Sequence, residues 1–287
     1  MLRDIVYAEW ERYAISGEHM KVLTTLIMVA LSLPPTAGSQ EKQAPTKTAT
    51  IEPLPRDLEI QLALSALPPH LRDNATVYVL NPAKGFEVAR KGTNGFHAFV
   101  ARTGDDAMQG AWPLTKYPED ILYPLSFDSA GAKANMRVFF DIAEMQAKGM
   151  PPQELKKTIQ ERYKTNYYKA PERAGVSYML SPILRTYVSP EKNDTVNTAN
   201  VPHIMHYAPH LSNEDVGGAT LPPEDMRYFI ERGRFRSVPN PFVIHHGAHG
   251  YMIQQVGITE RTAITKEYEA MLGRLCTLKK VWCLPPE

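Results

Sequence analysis

The chain has 287 residues, 43% hydrophobic and 22% charged, an ordinary globular composition with material for a sizeable core. Lys and Arg number 32 against 31 Asp and Glu, for a formal net charge of +1, which gives no electrostatic reason to expect nucleic acid or an anionic membrane as partner. The 24 prolines imply short, well-punctuated elements.

Lys21 precedes the apolar run 22–33, and Ala37 and Ser39 are the small residues ahead of a cut before Gln40. That is the layout of a secretory signal peptide over 20–39. The run is shorter than the roughly 20 apolar residues of a spanning helix. The expectation is a periplasmic or secreted protein with no stable membrane insertion after cleavage. Residues 1–19 carry Asp4, Glu9, Glu11 and Glu18, unlike a short basic leader. Translation is therefore expected to start at Met20, since Gly17-Glu18-His19 can be encoded by GGA-GAA-CAY, a ribosome-binding-like run. Residues 40–55 read as a flexible linker and 56–287 as a single domain.

Arg56 to Leu67 fits a short helix closed by Pro68-Pro69. Thr76 to Leu80 is a strand, and Gly85 to Thr93 and Phe96 to Arg102 flank Asn94-Gly95, a strong hairpin signal. Together they predict a three-strand meander over 76–102. Lys91 to Gly95 is not a phosphate loop, because a β-rich run follows it rather than a helix. Trp112 to Phe127 reads as irregular.

Asp128 caps a predicted helix to about Lys148, and Pro151-Pro152 start a second to about Tyr163, forming a helical hairpin. Asp141 and Glu144 share a face and read as a solvated acidic patch. The basic and aromatic mixture over 156–173 reads as a wet helix face, and Arg227 to Arg236 likewise. Gly175 to Val188 is a broken strand or two short ones, and Val201 to Ala208 is another strand. Ser212 to Asp215 has capping-box form. Thr259 caps a closing helix with Ile264, Tyr268, Met271 and Leu275 buried. The fold expected is α+β: an antiparallel sheet of meander and hairpins, with helices packed on one face or end.

Six of the nine histidines fall in two runs, 202–210 and 241–257. Gly247-Ala248 has the form of a two-residue hairpin turn. That turn sets Ile244 opposite Tyr251, Phe242 opposite Ile253, and His246 opposite His249. The apolar face so formed is expected to pack against the 201–208 strand, bringing His203 or His206 to the pair. Three imidazoles and a water make an open zinc site; Met205 and Met252 offer thioethers for copper. The candidate ligands are His203, His206, His246 and His249.

Two functions follow. One is an exported metal-binding protein or metal-dependent hydrolase using zinc or copper. The other is a non-catalytic binding or structural protein of the cell envelope with no metal site. The partner in either case is an unidentified small molecule or envelope component. The helix–sheet–loop pattern offers no Gly-x-Ser-x-Gly elbow and no dinucleotide fingerprint. The two cysteines, Cys276 and Cys283, are expected to form a disulfide. In a continuous helix their separation exceeds bridging distance, so the last helix must end soon after Cys276.

Overall fold

The computed structural model describes residues 51–102, 117, 120–187, 196–218, 240–244 and 247–286. The chain divides between Ala44 and Pro45 into two units, and every described residue belongs to the second. The segments 1–50, 103–116 and 219–239 lie outside the description. They contain the expected signal peptide and the second basic segment, Arg227 to Arg236.

The protein is α+β. Among the described residues, two four-stranded sheets dominate. The first runs β2-β1-β3-β4, with β1 Thr76–Asn81, β2 Gly85–Arg90, β3 His97–Ala101 and β4 Tyr123–Phe127. The second runs β5-β8-β10-β9, with β5 Val176–Met179, β8 His203–Tyr207, β9 Phe242–Ile244 and β10 Tyr251–Gln255. A two-stranded ribbon pairs β6 Leu184–Tyr187 with β7 Val196–Ala199.

The two large sheets meet along β4 and β5 through serine hydroxyls. Ser177 Oγ donates to the Ser126 carbonyl at 2.6 Å, and Ser126 Oγ donates to the Tyr178 carbonyl while accepting from its N–H. Asp128 N–H donates to the Val176 carbonyl at 3.1 Å. Both serines are fully buried, so their hydroxyls stand in for ladder bonds that two mismatched edges cannot make. Leu122 bridges Arg185 at the other end of β4, attaching the ribbon to the same edge.

Helices cover this surface on both faces, where the sequence reading expects one face or one end. α3 Ser129–Ala134, α4 Met136–Ala147 and α5 Pro152–Lys164 pack on the face carrying Phe99, Leu125, Phe127, Met205 and Phe242. The opposite face carries Val77, Ala98, Val100 and Leu122. On it lie α1 Arg56–Ser65, the one-turn α2 Pro69–Arg72, α6 Ile258–Glu267 and α7 Glu269–Leu278. Strands covered on both sides need apolar residues at every position. Tyr123 to Phe127 is buried throughout, which is why it shows no alternation and reads as irregular from sequence.

The meander is the main topological correction. All three strands form, but β1 pairs antiparallel with β2 and parallel with β3, so Asn94-Gly95 does not join a hairpin. The 91–96 segment instead crosses the start of β1. Thr93 and Asn94 N–H groups both donate to the Asn74 carbonyl. A Cβ on Gly92 would lie 2.2 Å from Asn74 O and Ala75 C, so only glycine allows the crossing at this distance. The Asn94 side chain accepts from Phe96 N–H and donates to the Leu71 carbonyl, serving a local turn.

Several local expectations hold. Asp128 caps α3 by accepting from Gly131 N–H, though the helix beyond it forms as two consecutive segments, α3 and α4. α5 begins at Pro152 with Leu155 and Ile159 fully buried. Ser212 and Asp215 exchange reciprocal capping bonds. Other expectations are corrected. Gly257, not Thr259, is the N-cap of α6, and it supplies no side-chain bond. Ile51 and Leu54, at the end of the expected linker, are buried in the core. Asp141 is no solvated acid: it is buried against Arg162 at 2.5 Å, Arg137 at 3.4 Å and the Tyr168 hydroxyl at 3.0 Å. Glu144 alone of that pair stays exposed.

Cys276 and Cys283 are bonded, with Cα atoms 4.3 Å apart. α7 ends at Leu278 and a short 3-10 turn, Lys280–Trp282, folds the chain back, as the bridge requires.

Candidate functional site

The histidine region is built on β8, β10 and β9. The hairpin register is the expected one, with Tyr251 opposite Ile244 and Ile253 opposite Phe242. The turn that closes it is displaced. Gly250 N–H donates to the Gly247 carbonyl, centring the turn on Ala248 and His249, while Gly247 takes φ +92°, a value glycine adopts freely. His245 and His246 lie outside the described residues.

The 201–208 segment does form the strand next to this hairpin, but it pairs edge to edge with β10 instead of packing on its face. Its register sets Tyr207 opposite Tyr251, His206 opposite Met252, and His203 opposite Gln255. The tip lies beyond Ala208, whose N–H donates to the Gly250 carbonyl. His203 is five residues back along the strand, about 17 Å at the usual antiparallel rise. It is buried, and its Nδ1 sits 2.7 Å from the Val201 carbonyl. His203 is therefore a core histidine at the far end of the ladder.

Strand alternation separates the rest. Met205, Tyr207, Tyr251 and Ile253 belong to the core beneath α4 and α5. His249 meets that side as well, its ring edge-on to Tyr163 of α5 at 5.2 Å. His206 and Met252 alternate to the opposite face. The structure thus does not bring His203, His206 and His249 together, and Met205 and Met252 cannot share one copper. Among the described residues no three histidine, cysteine, aspartate or glutamate side chains are grouped to hold a metal ion.

Tyr207 and Tyr251 stack edge to face at 5.9 Å, but the Tyr207 hydroxyl is not available to orient a water. It donates toward Asp128 Oδ1 at 3.1 Å and the Val176 carbonyl at 3.0 Å. Burial, reinforced by the Asp128 charge, pushes its ionisation far above the ordinary range, so it acts as a neutral donor.

One arrangement does survive with ligand chemistry. His206 and Met252 are directly opposed across β8 and β10, both half-buried, in a row that continues to Val176 on one side and Val243 on the other. Opposed residues hold their Cβ atoms about 4.5–5.5 Å apart, close enough for an imidazole nitrogen and a thioether sulfur to reach one ion. His210, like His245, is left out of the ligand set by the sequence reading. His210 is exposed, takes φ +62°, and its N–H donates to the Gly247 carbonyl at 2.7 Å, fixing it to the hairpin turn. Its position after Pro209, past the end of the strand, is the signal that places it there.

A second histidine surrounding is also absent from the sequence reading. His97 Nδ1 lies 3.0 Å from the Tyr78 hydroxyl, and burial lowers the imidazole's pKa, favouring the neutral ring. The contact arises from the parallel pairing of β1 and β3, which nothing local announces.

The basic and aromatic segment is partly packed. Tyr168 is buried, Tyr163 and Tyr168 rings lie 4.8 Å apart, and Arg137 and Arg162 both approach the exposed Tyr167 ring. Among the described residues no helix is long and apolar enough to cross a membrane. No protein-family model matches the chain, and no match is found among curated proteins or solved structures.

Proposed function

We propose that this is an exported copper-binding protein whose ion is held at the hairpin end of the β8–β10 ladder. The observation that carries the reading is the direct opposition of His206 and Met252 on a half-buried row. A soft thioether beside an imidazole suits copper(I); zinc takes histidine, cysteine and carboxylate and has no use for the sulfur. His210, fixed to the hairpin turn, is the nearest further imidazole along the chain, whereas His249 meets the opposite side and His246 lies outside the described residues. An oxidising compartment, which the Cys276–Cys283 bond and the signal-like segment favour, is where such a protein would meet the ion. Hydrolysis by a zinc-bound water is the weaker reading, because His203, one of its two alternative third ligands, lies at the far end of the ladder and His206, the other, alternates to the opposite face from His249.

The test is competition for copper(I) against a chromophoric chelator, with zinc measured in parallel after dialysis. Stoichiometric copper in the wild type, lost in both His206→Ala and Met252→Leu, is the expected result. Zinc retained by Met252→Leu but lost in His246→Ala and His249→Ala would return the site to an all-imidazole set. Neither metal held stoichiometrically would leave a non-catalytic envelope protein without a metal site.

A further inference from the structure

The residues after α7 form a short strap that touches four positions distant in sequence. Trp282 is buried, and its indole N–H donates to the Asp120 carbonyl at 2.8 Å. The Val281 carbonyl accepts from the Thr198 hydroxyl on β7. Lys279 pairs with Glu52 at 3.6 Å, and the Lys279 and Arg102 cations lie 5.2 and 5.8 Å from the Trp282 ring. The strap's own backbone is held lightly, by Lys279, Trp282 and Cys283 N–H groups donating to the carbonyls of Leu275, Lys279 and Lys280. Lys280 and Val281 are exposed, and both cysteines are half-buried, within reach of a reductant.

We infer that the disulfide-closed strap is a redox-sensitive latch: the Cys276–Cys283 bond keeps Trp282 seated over Arg102, and its reduction lets the strap leave while the rest of the fold stays closed. A dithiol is the reductant by class. Its thiolate attacks one sulfur, forming a mixed disulfide and expelling the other cysteine as a thiolate, which takes up a proton. The donor's second thiol then resolves the mixed disulfide. Two electrons pass to the protein, Cys276 and Cys283 become thiols, and the donor leaves as its cyclic disulfide.

Release is local because the bond is the one covalent element of the strap's attachment. Without it the hold is noncovalent: the buried Trp282 ring with its Arg102 and Lys279 cation contacts, an indole bond, a hydroxyl bond and an ion pair to the exposed Glu52. Isolated surface ion pairs hold weakly, and short segments with few buried bonds open independently of the core. Opening uncovers the Trp282 seat over Arg102 and the Thr198 position of β7.

Limited trypsin digestion of the full chain, with and without dithiothreitol and read by mass, tests the latch. Reduction is expected to speed cleavage after Lys279 and Lys280 by about tenfold or more, as for a segment whose open population rises, with the remainder of the described domain resistant. A Cys276→Ser, Cys283→Ser variant should match the reduced wild type with no reductant present. If that variant does not fold, reduction of the folded wild type still gives the reading. Unchanged cleavage on reduction would overturn the latch. So would acceleration at sites throughout the domain, which would make the bond a general staple.

Discussion

The two four-stranded sheets are organised by opposite means. In β2-β1-β3-β4 the strands β3 and β4 are buried on both faces, one pair is parallel, and closure depends on backbone approach at Gly92 and a buried carboxylate, Glu59. In β5-β8-β10-β9 every pair is antiparallel, one row is half-buried, and side-chain amides close the edge. Asn213 there accepts from Val243 N–H at 2.6 Å and donates to the Val243 carbonyl, plugging the outer strand as a neighbouring strand would. The first sheet is sealed along β3 and β4 and stays wetter at its outer strand β2. The second leaves His206 and Met252 half-buried beside the buried Val243, and that is where the proposed metal pair lies.

The comparison breaks most severely at Gly92. A methyl there collides with three backbone atoms that cannot swing away, so Gly92→Ala should destabilise by about 3 kcal/mol or more, measured by chemical denaturation. A cost under about 1 kcal/mol would mean that the crossing segment has slack.

Glu59 gives the next largest effect. β1 and β3 pair only at Thr76–His97 and Val77–Ala98; further along, Leu80 N–H donates to Glu59 Oε1 at 2.8 Å. Burial raises this carboxyl to about 7, against the opposing pull of the Leu80 N–H and the Arg102 and Arg56 charges. The unfolded chain ionises it near the ordinary glutamate value of 4.5. Between those values the folded state binds the extra proton, so stability is full below the unfolded pKa and falls as pH rises toward 7. Glu59→Gln keeps an oxygen for Leu80 N–H and removes the charge. It should be more stable than wild type at pH 8 by about 2 kcal/mol and flatten the decline between about pH 5 and 7. Identical pH profiles would show that Arg102 compensates the charge fully.

Asn213 sharpens the contrast from the other sheet. Asn213→Ala removes both edge bonds from Val243, and water can replace them at a sheet rim, so the expected loss is only about 1–2 kcal/mol. Hydrogen exchange should quicken at Val243 and along β9 while β3 and β4 stay protected. Equal loosening of both sheets would contradict their separate closure.

The difference also decides what was legible. β8 and β10 alternate buried and wetter residues, so the sequence shows both strands, the hairpin register and the face shared by Met205 and Tyr207. β4, apolar and sealed on both sides, offers no such period. The disulfide was readable from cysteine count and helix rise, and the Asp128 and Pro152 helix starts from their caps, because these depend on residues within a few positions.

Pairing partners lay beyond the sequence. Asn94-Gly95 is compatible with a hairpin and with a crossing turn alike, and the contact between Gly92 and Asn74 selects the latter. The histidines show the same limit. Their spacing places His203 and His206 on one strand and His249 near a turn. Only the β8–β10 register, set by the long-range packing of Met205, Tyr207 and Ile253 under α4 and α5, sends His203 to the far end and sets His206 against Met252. Local geometry is fixed by neighbouring residues along the chain, whereas register and partner follow from which apolar faces are buried together.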